Sequence, residues 1–291
     1  MSNVKLTVSL KTLWGANAWP FGAASENLHE PAFWQKTLES LEQLLGVKTS
    51  GILTGPNGVG KSRMIQALVE RLPEKSYRSI LLTHATLSSG DISRYLCRSQ
   101  GLAAAQRRSD NVLALRQYWR QLHPVWPVVI YEEAQNLSTL ALEELRLLTC
   151  DRHDTQPPFS LILTGDDSLL PRLQMGVNRP LLSRLGFGLE ISPWPPEELA
   201  AYIAARLKEV GIHDAVLDPQ AQNMLVQLAG GLPRILNHLA QRAFEEAAVQ
   251  NARIVKSEHL QKALAQIPWM LSAAGRSLHA GKAVDGRLQG G

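Results

Sequence analysis

"GILTGPNGVGKSRMIQALVERL", residues 51–72, changes character twice within its length. "GILTG" is a short apolar run that ends in glycine, and "SRMIQALVERL" repeats its apolar residues at helical spacing, so the order is strand, loop, helix. Between them "GPNGVGKS" fits the pattern G-x-x-x-x-G-K-[ST] at the place where that pattern has physical meaning. Its glycines let backbone N–H groups turn inward, and the helix that follows adds the partial positive charge of its N-terminus. Gly55, Pro56, Asn57, Gly58, Val59, Gly60, Lys61 and Ser62 are thereby candidates for a phosphate-binding loop. Lys61 would reach the β- and γ-phosphates of ATP, and Ser62 would hold Mg²⁺ through its hydroxyl. The competing reading, a chance glycine-rich turn, is disfavoured because motif and flanking pattern agree.

The same alternation continues outward. "YRSILLTHAT" reads as a second strand, residues 128–131 as a third, and "FSLILTG", residues 159–165, as a fourth. Helical patterns separate them at residues 89–100, in "NVLALRQYWRQLH" and in "TLALEELRLLT". Before the loop, "EPAFWQKTLESLEQLLG" is a further helix with Gly46 as its expected C-terminal cap. Strands and helices alternating at this length predict an α/β unit with a parallel sheet covered on both faces. The composition then shifts at "ISPWPPEELAAYIAARLKEVG", whose prolines stop the last strand. Residues 196–210, 218–229, 232–249 and 256–266 all read as helix, which predicts an all-helical unit after the sheet. The expected division is an irregular N-terminal arm (1–30, with Trp14, Trp19 and Phe21), a core (31–192), a helical lid (193–267) and a small, glycine-rich basic tail (268–291) expected to stay mobile.

"VVIYEE", residues 128–133, sets two acids at the end of a buried strand. In phosphoryl transfer of this kind the first orients the water shell of magnesium and the second acts as general base. Glu132 takes the first role and Glu133 the second; a strand shifted by one residue would make Glu132 the base. A glutamate at the first position carries its charge one methylene further out than an aspartate, and Mg²⁺ tolerates little distortion. Binding that survives with slow hydrolysis is the expectation. Thr164, at the end of the fourth strand, is placed to hold the attacking water or simply to finish the strand. Arg184 follows a short helix after that strand, where an arginine can reach a neighbouring subunit's γ-phosphate; Arg179 competes for that role, and a surface ion pair is the alternative for both. Arg234, just inside a helix start, is positioned to reach back to the phosphates.

Charge and composition bound the rest. The chain has 291 residues, 45% of them hydrophobic, enough for a substantial core, so disorder is not its default state. A net charge of +4 permits a phosphate-rich partner without requiring one. Cys97 and Cys150 lack metal or disulfide spacing, and no run approaches the roughly 18 apolar residues of a membrane helix, so a cytoplasmic protein is expected. Between the second and third strands Arg94, Arg98, Arg107, Arg108, Arg116 and Arg120, with Asp110 among them, make an arginine-rich segment. Arg116 and Arg120 share a helix face opposite Val112, Leu115, Trp119 and Leu122, a pattern that fits either a DNA backbone or a solvated surface.

The phosphate loop, "EEAQNLSTLALEELRLL", "PEELAAYIAARLKEVG" and "GGLPRILNHLAQRAFEEA" together resemble the AAA+ ATPases of the ExeA/GspA and TnsC/TniB type, from about Trp14 to Leu264. The resemblance implies a Rossmann-like P-loop core with a C-terminal all-helical lid and an ATPase activity. It assigns Lys61 and Ser62 to phosphate and metal, Glu132 and Glu133 to the acidic pair, Thr164 to the first sensor, Arg184 to the finger and Arg234 to the second sensor. Glu132 departs from the family's Asp. The secretion members carry a membrane segment and a wall-binding domain after the lid; the transposon members are compact and basic, which this chain resembles more. The resemblance therefore implies a homo-oligomer, ring or helical filament, on double-stranded DNA that recruits or activates a transposase. The alternative it leaves is an ATPase that assists assembly of a secretion machine.

Overall fold

The computed structural model describes residues 12–22, 29–83, 88, 90–150, 157–213 and 215–267. The expected tail, 268–291, and much of the expected arm lie outside them. By internal contacts the chain forms two units: Phe33–Gly55 with Lys61–Ile191, and Met1–Ala32 with Pro56–Gly60 and Ser192–Gly291.

The first of these is an α/β layer structure. Its helices and strands alternate as α1 (Trp34–Gly46), β1 (Gly51–Thr54), α2 (Lys61–Arg71), β2 (Tyr77–Leu82), α3 (Asp91–Ser99), α4 (Arg108–Gln121), β3 (Trp126–Tyr131), α5 (Thr139–Thr149), β4 (Ser160–Gly165), α6 (Leu169–Gln174), α7 (Arg179–Leu182) and β5 (Phe187–Glu190). All five strands are parallel, in the order β2-β3-β4-β1-β5. Strand β5 is additional to the four read one by one from the sequence. It is short, alternates half-buried with exposed residues and contains Gly188, so it lacks an apolar run. The inner strands have one: Val128, Val129, Ile130 and Tyr131 of β3 and Leu161, Ile162 and Leu163 of β4 are all fully buried. Strands covered on both faces read as continuous apolar segments, and each such side chain contributes about 1.5–3 kcal/mol.

One local detail departs from the sequence reading and a second lies beyond its reach. Helix α1 keeps Gly46 as its last residue, and the left-handed position falls on Lys48 (φ 59°) rather than on the glycine. Helix α3 starts without a side-chain cap of its own; the buried Glu144 of α5 supplies one, accepting from the backbone N–H of Gly90 and, at 3.1 Å, of Ser93. A carboxylate at a helix N-terminus satisfies orphan donors and meets the positive end of the dipole.

The second unit contains α8 (Pro196–Glu209), α9 (Pro219–Ala229), α10 (Pro233–Val249) and α11 (Ser257–Gln266). Asp218 caps α9 by accepting from Gln220 and Ala221 N–H, with Pro219 at the first helical position. The described part of the arm packs here. Trp14 and Phe21 lie 5.1 and 5.7 Å from the Phe244 ring, and Trp14 Nε1 donates to the Arg253 carbonyl. The buried Arg206 donates to the carbonyls of Pro20 and Gly22 and pairs with Glu209. No helix among the described residues is long and apolar enough to cross a membrane.

Candidate nucleotide site

Parallel strands put all their C-terminal ends on one edge of a sheet. β1, β4 and β3 are neighbours, so Gly55, Thr164 and Glu132 emerge side by side. The register fixes their level: Thr164 pairs with Leu53, and Leu163 pairs with Tyr131, which puts Glu132 one step further, level with Thr164. Adjacent strands are about 4.8 Å apart, so a threonine and two consecutive acids share a narrow stretch of edge. Thr164 is buried, and Glu132 and Glu133 are half-buried.

The phosphate loop is built on unusual backbone angles. Gly55, Gly58 and Gly60 have φ of 156°, 90° and 112°. Space is short as well as conformation: a Cβ on Gly58 would lie 2.7 Å from Cβ of Arg234. Arg234 N–H in turn donates to the Gly58 carbonyl at 3.3 Å, and Trp194 Nε1 donates to the Val59 carbonyl at 2.7 Å. Residues 56–60 are thus held by Arg234 at the start of α10 and by Trp194 just before α8. Lys61, the first residue of α2, is only 6% exposed, and its Nζ donates to the Gly55 carbonyl at 2.8 Å. Ser62 beside it is exposed. A helix N-terminus, a constrained ammonium and an exposed hydroxyl form a donor set that fits a magnesium–triphosphate chain.

The acidic end differs in construction. Glu132 N–H donates to the Leu82 carbonyl at 2.9 Å, which continues the β2–β3 ladder. Glu133 then takes a left-handed conformation, φ 53° and ψ 40°, before a single 3₁₀ turn, Ala134–Asn136. An L-residue pays roughly 1–2 kcal/mol there, and such outliers cluster at functional positions. Gln135 Nε2 donates to Glu133 Oε2 at 2.6 Å, and Gln135 Oε1 accepts the Asp166 N–H at 3.3 Å. Arg172 of α6 donates to the carbonyls of Gln135, at 2.8 Å, and Leu137. Sequence reasoning singled out neither Arg172 nor Trp194 and used Gln135 only as a motif marker. Contacts between residues 37 and 135 positions apart leave no local periodicity to find.

The arginines sort unequally. Arg234 is exposed at the head of α10. Arg184 is half-buried and already engaged, whereas Arg179 is exposed, with Nε 3.4 Å from the Gln174 carbonyl. Among the basic residues between β2 and β3, Arg94 and Arg116 have defined partners within the fold. Arg94 pairs with Asp91 at 2.9 Å, and Arg116 turns inward to donate to the carbonyls of Leu147 and Cys150, closing the C-terminus of α5. Arg116 therefore does not share an outward face with Arg120. Arg98, Arg107, Arg108 and Arg120 are exposed. The apolar face of α4 is as expected: Leu115 and Trp119 are in the core, with Val112 and Leu122 against it.

Residues 45–173 match a family described as an AAA domain. With its phosphate loop, its acidic strand end and its sheet order, this part of the chain is an AAA+ P-loop ATPase domain. Within that class the chain is a distant homologue of the ExeA/GspA type, 28% identical over 201 residues to general secretion pathway protein A of Aeromonas hydrophila. That match covers 66% of this chain and 36% of the relative, so the chain spans little more than a third of the relative's length. Among solved structures, Cdc6p of Pyrobaculum aerophilum superposes with a TM-score of 0.69 at 16% identity, over 85% of this chain and 70% of that one. The ORC1 protein of Aeropyrum pernix in complex with DNA gives 0.66 at 18%, over 86% and 69%. The RuvB Holliday junction branch migration motor of Thermotoga maritima gives 0.54 at 17%, over 86% and 74%. These three are likenesses of fold.

Proposed function

We propose that this chain is a slow, magnesium-dependent ATPase of the ExeA/GspA kind, which works as a homo-oligomer to assist assembly of a secretion machine. The sequence relation to general secretion pathway protein A carries this reading. In it the core (31–192) supplies the chemistry and the helical lid (193–267) answers to nucleotide. Backbone donors of residues 55–62 and the Lys61 ammonium hold the phosphates, Ser62 and Glu132 hold Mg²⁺, Glu133 takes the proton of the attacking water and Thr164 holds that water. Bound Mg²⁺ would neutralise charge on the phosphates. Arg234 reaches the phosphates from its own chain, and Arg184 or Arg179 reaches those of a neighbouring copy. The engaged state of Arg184 gives Arg179 equal standing here.

The second reading is an ATP-gated binder of double-stranded DNA that recruits or activates a transposase. The exposed Arg98, Arg107, Arg108 and Arg120 favour it; the inward turn of Arg116 and the Arg94–Asp91 pair weaken it. Fluorescence anisotropy on a random-sequence duplex separates the two, read without nucleotide, with ADP and with a non-hydrolysable ATP analogue at two salt concentrations. Absence of binding in every state is the outcome expected of the secretion-type ATPase. Binding that needs the analogue and falls steeply with salt overturns it in favour of the DNA reading.

A further inference from the structure

We infer that Gln135 is a positioning residue for hydrolysis, a strut that aims the Glu133 carboxylate and ties it to the end of β4. This deepens the reading of Glu133 as general base and rests on it. The orientation of the amide follows from its partners. A backbone N–H can only donate, so the group 3.3 Å from Asp166 N must be Gln135 Oε1, which leaves Nε2 to donate to Glu133 Oε2 at 2.6 Å. The amide thus cannot turn over without losing both bonds. Its backbone is equally constrained. Arg172 holds the Gln135 and Leu137 carbonyls, Asn178 holds the Arg172 carbonyl at 2.9 Å, and Asn136 N–H closes the turn onto the Glu133 carbonyl at 2.9 Å.

Gly165 makes room for the strut: a Cβ at that position would lie 2.6 Å from Gln135 Oε1. The amide therefore connects two points that the chemistry needs in fixed relation: the carboxylate of Glu133, carried on a left-handed backbone, and the Asp166 N–H, two residues beyond Thr164. A carboxylate on a short flexible stem, next to a solvent-facing edge, would otherwise sample several rotamers. Misplacing a reacting group by about 1 Å costs on the order of 100-fold in rate.

The test is single-turnover and steady-state ATP hydrolysis by the full chain and three variants. Gln135→Leu removes donor and acceptor. Gln135→Glu is isosteric and keeps the acceptor for Asp166 N–H, but replaces the donor to Glu133 with a like charge. Glu133→Gln probes the base itself. Both Gln135 variants are expected to lose about 10–100-fold in kcat with KM for ATP within about twofold, while Glu133→Gln is inactive. A role limited to bracing Asp166 would leave Gln135→Glu at wild-type rate, and that result overturns the inference, as does a rise in kcat in either variant. Glu133→Gln that hydrolyses normally removes the base reading and the strut with it. An inactive Glu133→Gln beside fully active Gln135 variants removes the strut alone. If Gln135→Leu fails to fold, the isosteric Gln135→Glu decides.

Discussion

The phosphate loop and the acidic turn both lead from a strand toward a helix, yet they hold their shapes by opposite means. The loop depends on side chains that are missing: glycines at φ values that other residues avoid, with Gly58 pressed against Arg234. The turn depends on side chains that are present: Gln135 and Arg172 brace a glutamate in a conformation that would suit glycine. A site made by omission is intolerant of additions, and a site made by bracing is intolerant of deletions.

The strongest way to break the loop without changing its backbone is Lys61→Ala. It removes the buried ammonium on the Gly55 carbonyl, and equilibrium binding of a fluorescent ATP analogue is expected to weaken by at least about 100-fold. Gly58→Ala is the test of omission proper. It adds one methyl at φ 90°, within 2.7 Å of Arg234 Cβ, and should weaken the same binding about 10-fold or more. Glu132→Asp probes the strand end that leads into the acidic turn. Restoring the shorter acid should raise turnover by roughly 10-fold with little change in binding, because metal geometry tightens; an unchanged rate would locate the bottleneck elsewhere.

Arg172→Met tests bracing by deletion. Two carbonyls lose a charged donor, and urea unfolding should report a loss of about 1–3 kcal/mol with nucleotide affinity nearly kept. The smallest effect belongs to neither region and sets the background for comparing them. Burial holds the imidazole of His259 below its ordinary value of 6.5, and its Nδ1 accepts the Lys256 N–H. The unfolded chain therefore takes up that proton first, so this contribution is complete above pH 6.5 and declines as pH falls through the lowered folded value. The thermal midpoint should drop on mild acidification, and His259→Gln should flatten that slope.

How much of this could be read beforehand follows from the same contrast. Strand, loop and helix around Lys61 were legible because glycine spacing and apolar periodicity are local. So were the apolar runs of β3 and β4, which are buried on both faces. The fifth strand was not, since Phe187, Gly188, Leu189 and Glu190 make neither a run nor a long alternation. Helical spacing placed Arg116 beside Arg120 correctly on the wheel. It could not show that a long side chain would fold back to the end of α5. Glu144 as a cap for α3 and Arg172 as a clamp are likewise long-range hydrogen bonds, decided only when the chain closes on itself.

Trp194 gives the loop an optical property. Its indole N–H ends on the Val59 carbonyl, and indole emission shifts in wavelength and yield with what that N–H touches. Any rotation of the Val59 peptide is thus written into the spectrum of one native fluorophore. With seven tryptophans in the chain, the difference between the parent and Trp194→Phe spectra isolates that one signal. A nucleotide that turns the Val59 peptide on binding would be visible in that signal without an attached dye.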